Sequence, residues 1–339
     1  MANEVHSEKR PLVMTKDILW LIYLYPLRFL AWLMPAATMR LLGRALGRAF
    51  QLVSGGQKRV VVSRLAGALG PEVSVAELER MADCYAANSV NRAIDDLILN
   101  RLIRAGRLNP ADLRGLEHLQ EALAPGRGVV LLSGHFFANR VAKRWLAGMG
   151  YSPLSVRNGE PPDRRLGRLG KRWLQPRFSR FLHAVIRDEA FVKDPQCPLK
   201  ILKRLRCGGI VSVNFDGPFA HHRAKLPFLG RIKRFPTGFL EIIRLSRCAV
   251  VPMLCLGDSR HFTIRFLKGL ELGQWDSREE FVSSNLPTLV RILESDIRAH
   301  PEEWELWALL RDQVRCSPRN DGLTEDAAAG SPGPQGNHV

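Results

Sequence analysis

The chain is short of acid. Against 50 lysines and arginines it sets only 33 aspartates and glutamates, a formal charge of +17 over 339 residues. Such an excess points to partners of negative charge: an anionic membrane face, a phosphorylated substrate, an acidic carrier protein or a nucleic acid. Nothing supports specific nucleic-acid recognition, because no zinc-finger, glycine-rich stacking strand or basic-zipper pattern accompanies the charge. Paired cysteines are also missing. Cys84, Cys197, Cys207, Cys248, Cys255 and Cys316 are scattered with no Cys-x-x-Cys unit, which argues against a zinc site and a disulfide framework and for reduced thiols facing a cytoplasm. His221 and His222 follow Asp216 closely, but no third ligand is spaced for a metal. No internal repeat is evident.

An unbroken apolar run is lacking too. Ile18 to Met39 reaches the ~20 residues of a bilayer-spanning helix, yet it carries Arg28 and is interrupted by Pro26 and Pro35. Trp20, Tyr23, Tyr25 and Trp32 are types favoured at a membrane interface, and no short-core, small-residue cleavage site follows. A shallow or kinked anchor fits better than a clean span. Arg40, Arg44 and Arg48 then repeat every four residues on one helical face, suited to anionic headgroups. Residues 1–16 read as a mobile basic terminus, 17–50 as membrane-associated helices, 51–316 as one α/β domain, and the Gly/Pro/Ala/Ser-rich 317–339 as disordered.

What is present is a chain of alternating strand and helix patterns. Helices are predicted over 58–107, Leu116 to Leu123, Val141 to Met149, Arg164 to Leu182, Leu199 to Arg206, Thr237 to Leu245 and Arg278 to Ala299. Strands are predicted over Val129 to Leu132, Leu154 to Val156, Ile210 to Phe215, Ala249 to Leu256 and Phe262 to Phe266. The alternation indicates helices packed on a central sheet, with 216–236 read as a loop.

The most informative stretch is Gly128-Val129-Val130-Leu131-Leu132-Ser133-Gly134-His135-Phe136-Phe137-Ala138-Asn139-Arg140. A buried strand ends there in a small turn presenting one histidine, where open α/β sheets place ligands and chemistry. A near-neutral pKa suits His135 to act as a general base. Gly209-Ile210-Val211-Ser212-Val213-Asn214-Phe215-Asp216-Gly217 brings Asp216 to the end of a second strand, although Asp-Gly is also a common turn.

These stretches resemble the His-x4-acid pattern of the lysophospholipid acyltransferase superfamily, in particular the late acyltransferases that add lauroyl or myristoyl chains to lipid A precursors. Arg157 after the Leu154 strand, Pro227-Phe228-Leu229-Gly230, Pro236-Thr237-Gly238, Val250-Val251-Pro252 and His300-Pro301-Glu302-Glu303-Trp304-Glu305-Leu306-Trp307 follow the family in order. The resemblance implies a glycerolipid acyltransferase-like fold, an α/β domain with a central mixed sheet flanked by helices and an N-terminal helical membrane anchor. It also implies a cytoplasmic-face location on the inner membrane, an acyl donor on acyl carrier protein or CoA, a phosphorylated glycolipid acceptor, anionic membrane lipid as a partner, and no cofactor or metal. His135 would be the base. Arg157, Asn139, Arg140, Arg164, Phe228, Gly230 and Thr237 would bind substrate. The tryptophan segment reads as core packing.

One position departs from the family. The acid belongs five residues after His135, where this chain has Arg140. A guanidinium only donates and disfavours a nearby imidazolium. Either Asp216 serves instead, or the chain is a non-catalytic lipid-binding homologue. A binder of anionic polymers is the reading that charge alone suggests.

Overall fold

The computed structural model describes residues 11–53, 55–157, 166–186, 188–218, 222–273 and 277–310. The basic terminus up to residue 10, Arg164, His221, Cys316 and the 317–339 tail lie outside the described residues.

Among the described residues nine strands run in chain order: β1 (Asp112–Arg114), β2 (Val129–Ser133), β3 (Leu154–Arg157), β4 (Glu189–Phe191), β5 (Ile210–Asn214), β6 (Arg223–Phe228), β7 (Arg231–Pro236), β8 (Ala249–Gly257) and β9 (Phe262–Phe266). Seven of them form one sheet in the order β1-β9-β8-β2-β5-β3-β4. β8 and β9 are antiparallel, and the other neighbours are parallel, so the sheet is mixed. β6 and β7 form a separate antiparallel hairpin.

β2 is central and every one of its residues is buried. Its alternation divides the protein into layers. Val130 and Leu132 join a core with the Gly55–Leu69, Cys197–Arg206, Gly238–Ser246 and Arg278–Ala299 helices. Val129 and Leu131 join the opposite core, with the Leu116–Leu123 and Asn139–Gly148 helices. Strands covered on both faces read as continuous apolar runs, which is why β2, β5 and β8 were legible. The predicted loop after Asp216 instead contains the β6–β7 hairpin. Lys225, Arg231, Lys233 and Arg234 conceal its alternation, since β6 is buried only on every second residue or less. β1 and β4, of three residues each, are too short for any period to show.

The N-terminal apolar stretch is divided. Helix Thr15–Ile22 passes into a π-helical turn, Tyr23–Leu27, which contains Pro26, then helix Arg28–Leu33 ends before Pro35. Proline removes a backbone donor and clashes with the preceding turn. Among the described residues no helix is long and apolar enough to cross a membrane. The next helix, Ala36–Val53, was expected to turn its arginines to headgroups. Arg40 instead faces the protein, donating to the Ser259 hydroxyl at 2.9 Å and carbonyl at 3.2 Å. Arg44 and Arg48 remain exposed. Gly43 lies so near the long helix Val75–Arg104 that a Cβ there would stand 2.9 Å from Ile94.

Candidate active site

The site follows from strand register. β2 and β5 are parallel, with Ser133 opposite Asn214. Each chain then leaves the sheet, and two residues later come His135 and Asp216. Parallel neighbours lie about 4.8 Å apart, so the two side chains emerge side by side on the carboxyl rim. His135 Nδ1 sits 2.5 Å from Asp216 Oδ1. The His135 backbone N–H donates to Asp216 Oδ2 at 2.8 Å, and the Trp304 indole N–H donates to the same oxygen at 2.7 Å. A carboxylate only accepts, so the proton of the neutral imidazole lies on Nδ1 and Nε2 keeps its lone pair. Gly134 makes the approach possible. A Cβ there would stand 2.5 Å from Leu293 and 3.1 Å from Asp216 Oδ2.

The backbone of the histidine turn is held as firmly. Glu305 N–H donates to the His135 carbonyl at 2.7 Å and Phe137 N–H to the Glu303 carbonyl at 3.1 Å, forming a short antiparallel bridge between Phe136 and Trp304. Asp216 is completely buried. Burial alone would push its carboxyl up, but the His135 charge and hydrogen bond, with Lys233 and the Trp304 N–H, outweigh this and bring it down to about 2. Burial likewise pulls His135 down. The charge and hydrogen bond of Asp216, with Glu305, overcome that and raise it above its ordinary value, Lys143 opposing. The pair is therefore a fixed carboxylate and a basic imidazole. Such an arrangement can take a proton from a hydroxyl and return it to a leaving group.

His135 opens onto a cavity of about 570 Å³. Its wall is largely apolar, with Val130, Val156, Ile201, Phe239, Ile242 and Leu309 among its residues, and Arg140, Lys143, Arg144 and Arg157 supply its cationic part.

Of the residues nominated from sequence, His135 and Asp216 are brought together. Arg140 is turned to Asp96 on the Val75–Arg104 helix, so it does not serve His135. Arg157 reaches the cavity but is paired with Glu189, a buried carboxylate that also meets His183. Asn139 also lines the cavity, while its side-chain amide donates to the Gly134 carbonyl at 2.5 Å and secures the turn. Phe228 and Gly230, also nominated as substrate contacts, sit elsewhere. Phe228 is buried against Trp304 and Phe235, and Gly230 (φ 73°) forms the hairpin turn, where a Cβ would stand 2.7 Å from the Gly67 carbonyl. Neither belongs to the cavity wall. Thr237 also stays out of the wall, although Pro236 and Gly238 on either side are in it. It precedes the Gly238–Ser246 helix and makes no side-chain capping bond to it.

Three residues were missed. Trp304 was read as packing but also donates to the carboxylate. Its signal was the Pro301-x-x-Trp304-x-x-Trp307 spacing. Glu305 lines the cavity and pairs with Arg92 at 3.0 Å. Asp96 answers Arg140. No local pattern marks the last two, because their partners are distant in sequence.

No curated protein matches the chain significantly. A crystal structure of the 1-acyl-sn-glycerophosphate (LPA) acyltransferase PlsC from Thermotoga maritima aligns with 83% of this chain and 97% of its own. Sequence identity is 12% and the TM-score 0.33, too low an overlap to carry an argument. The family model described as bacterial lipid A biosynthesis acyltransferase matches residues 7–311, about nine-tenths of the chain. This chain therefore belongs to the bacterial lipid A biosynthesis acyltransferase family, and it is an enzyme that transfers acyl groups.

Proposed function

We propose that the protein moves a fatty acyl chain from a thioester, on acyl carrier protein or CoA, to a hydroxyl of a phosphorylated, lipid A-like glycolipid. The observation that carries this reading is the His135–Asp216 pair opening onto a largely apolar cavity. Nε2 of His135 takes the proton of the acceptor hydroxyl as its oxygen attacks the thioester carbonyl. The tetrahedral intermediate collapses, the carbon–sulfur bond breaks, and the imidazolium returns the proton to the leaving thiolate. An ester and a free thiol result. Asp216 holds the imidazole in the required tautomer and balances its positive charge. The non-catalytic reading was motivated by Arg140, and the pairing of His135 with Asp216 removes that motive.

The acyl chain fits the apolar part of the cavity, and the cations beside it favour a phosphorylated acceptor. We further propose that the 17–50 helices and the 51–316 α/β domain act as one unit lying on the cytoplasmic face of the inner membrane. The N-terminal helices lie along the interface rather than across it. Leu19, Phe29, Trp32 and Leu33 are each about 60% exposed or more, and Lys16, Arg44 and Arg48 supply charge for anionic lipid. The test is acyl transfer by the purified protein, in mixed micelles, from an acyl-thioester to a phosphorylated glycolipid, with the new ester read by mass spectrometry. Transfer is expected from wild type and not from His135→Ala. Equal transfer by a folded His135→Ala protein contradicts the reading.

A further inference from the structure

The four cations of the cavity wall are not equivalent. Arg140 is answered by Asp96, Arg157 by Glu189, and Arg144 by the Asn100 side-chain carbonyl at 2.8 Å. Lys143 has no hydrogen bond or ion pair among the described residues. It stands on the Asn139–Gly148 helix, partly buried. The titratable groups around it are Arg140 and Arg157, which oppose its charge, Glu305 and Cys255, which favour it, and His135, whose own charge it disfavours. A partly buried cation with no ion-pair partner among the described residues is unfavourable unless an anion completes it.

A second observation points to a polar ligand in the same cavity. Ser155 lines the wall, is 2% exposed, and its hydroxyl has no hydrogen-bond partner. Asn214, also in the wall, has a buried side-chain oxygen without one. Buried polar groups are normally satisfied, and the orphans here border the space a substrate would fill. A phosphate oxygen accepts from both an ammonium and a hydroxyl.

We propose that Lys143, with the Ser155 hydroxyl as second donor, forms a binding site for a phosphate group of the substrate within the cavity of His135. This rests on the acyl-transfer reading only for which substrate carries the phosphate: the acceptor, or the phosphopantetheine arm of the donor. Arg140 and Arg157 are occupied, so Lys143, which has no partner among the described residues, carries the recognition. Burial, with Arg140 and Arg157, brings the Lys143 pKa down to about 8. Compared with a permanently charged arginine in its place, Lys143 should therefore lose phosphate affinity between pH 7 and pH 9.

The experiment uses the full-length protein and two variants, Lys143→Met and Lys143→Arg. No partner among the described residues is lost in either, so both should fold, with Lys143→Met melting no lower than wild type without ligand. Inorganic phosphate is titrated first, with sulfate-free buffer at pH 7 and pH 9, by calorimetry and thermal shift. The ratio of wild-type to Lys143→Arg affinity should be higher at pH 7 than at pH 9, and Lys143→Met should bind at least tenfold more weakly than wild type at pH 7. Lys143→Met binding phosphate as wild type does would overturn the site.

Kinetics then identifies the source. In Lys143→Met, a KM for the phosphorylated acceptor raised on the order of 10- to 100-fold, with the donor KM unchanged, assigns the phosphate to the acceptor. A raised KM for acyl-CoA, but not for a phosphate-free acyl-pantetheine thioester, assigns it to the donor. A lowered kcat with neither KM moved contradicts the proposal. If wild type transfers no acyl group yet its phosphate binding depends on Lys143, the acyl-transfer reading fails and this site stands.

Discussion

On the rim of the sheet, a carboxylate with no exposed surface is held by three donors. On the helix Arg28–Leu33, a tryptophan is 73% exposed beside a phenylalanine at 59%. The first region buries charge and the second exposes apolar surface, each against the usual distribution. Both depart from what folding alone would favour, and the departures differ in cost. Asp216 is compensated within the protein by His135 and Trp304. The compensation for Trp32, Phe29, Leu33 and Leu19 lies outside it, in an apolar phase, if these helices rest on a bilayer. The rim is therefore a closed arrangement that should behave alike in any solvent. The N-terminal face should depend on what surrounds it.

The comparison breaks most visibly at His135. His135→Ala should lower acyl transfer by about 10²–10⁴-fold, the usual contribution of a general base, in a protein that still folds but melts lower, because buried Asp216 loses its charge partner. Steady-state kinetics and a melting curve on one preparation check this, and turnover within tenfold of wild type would remove His135 from the chemistry. On the other region, replacing Leu19, Phe29, Trp32 and Leu33 together by serine should weaken binding to anionic vesicles on the order of 10²-fold, since each large apolar side chain contributes roughly 1.5–3 kcal/mol when fully buried and these would be only partly immersed. Transfer to a micelle-dissolved short-chain acceptor should hardly change. Equal flotation of both proteins with vesicles would sink the in-plane docking.

A smaller effect is expected at Arg140. Its partner Asp96 is nearly buried and Arg140 itself about a quarter exposed. Arg140→Met leaves that carboxylate uncompensated, with a loss of up to about 3 kcal/mol and a melting temperature several degrees lower. Activity per folded molecule should fall only a few-fold. Arg140→Glu would place two carboxylates together and should destabilise further, without raising transfer. An increase in transfer by that variant would mean that the family position still governs His135.

How much of this the sequence carried depends on how local each signal is. β2, β5 and β8 were readable because strands buried on both faces must be apolar throughout. His135 and Asp216 were readable because both sit just past such strands. Their pairing needed the register of Ser133 against Asn214, which no period in the chain encodes. The hairpin was hidden by its cations. Phe228 and Gly230 were nominated by resemblance, yet packing against Trp304 and Gly67 accounts for both. Asp96 lies 44 residues before Arg140, and nothing in the Val75–Arg104 helix pattern singles it out. Lys143 looked like one cation among many. Only the answered state of its neighbours distinguishes it.

The central claim is that Asp216 supplies the acid that Arg140 cannot, and the pH dependence of kcat/KM for Asp216→Asn against wild type tests it most directly. In wild type the base must be neutral, and Asp216 raises the His135 pKa above its ordinary value of 6.5. The acid limb should therefore lie above 6.5, with activity rising as pH rises through it. An asparagine is similar in shape but balances no imidazolium. The account predicts a plateau lowered on the order of a hundredfold or more and an acid limb displaced to lower pH, in a protein that remains folded though it melts lower, since the depressed Asp216 pKa stabilises the fold at neutral pH. An Asp216→Asn profile that overlays wild type in both height and limb would contradict it.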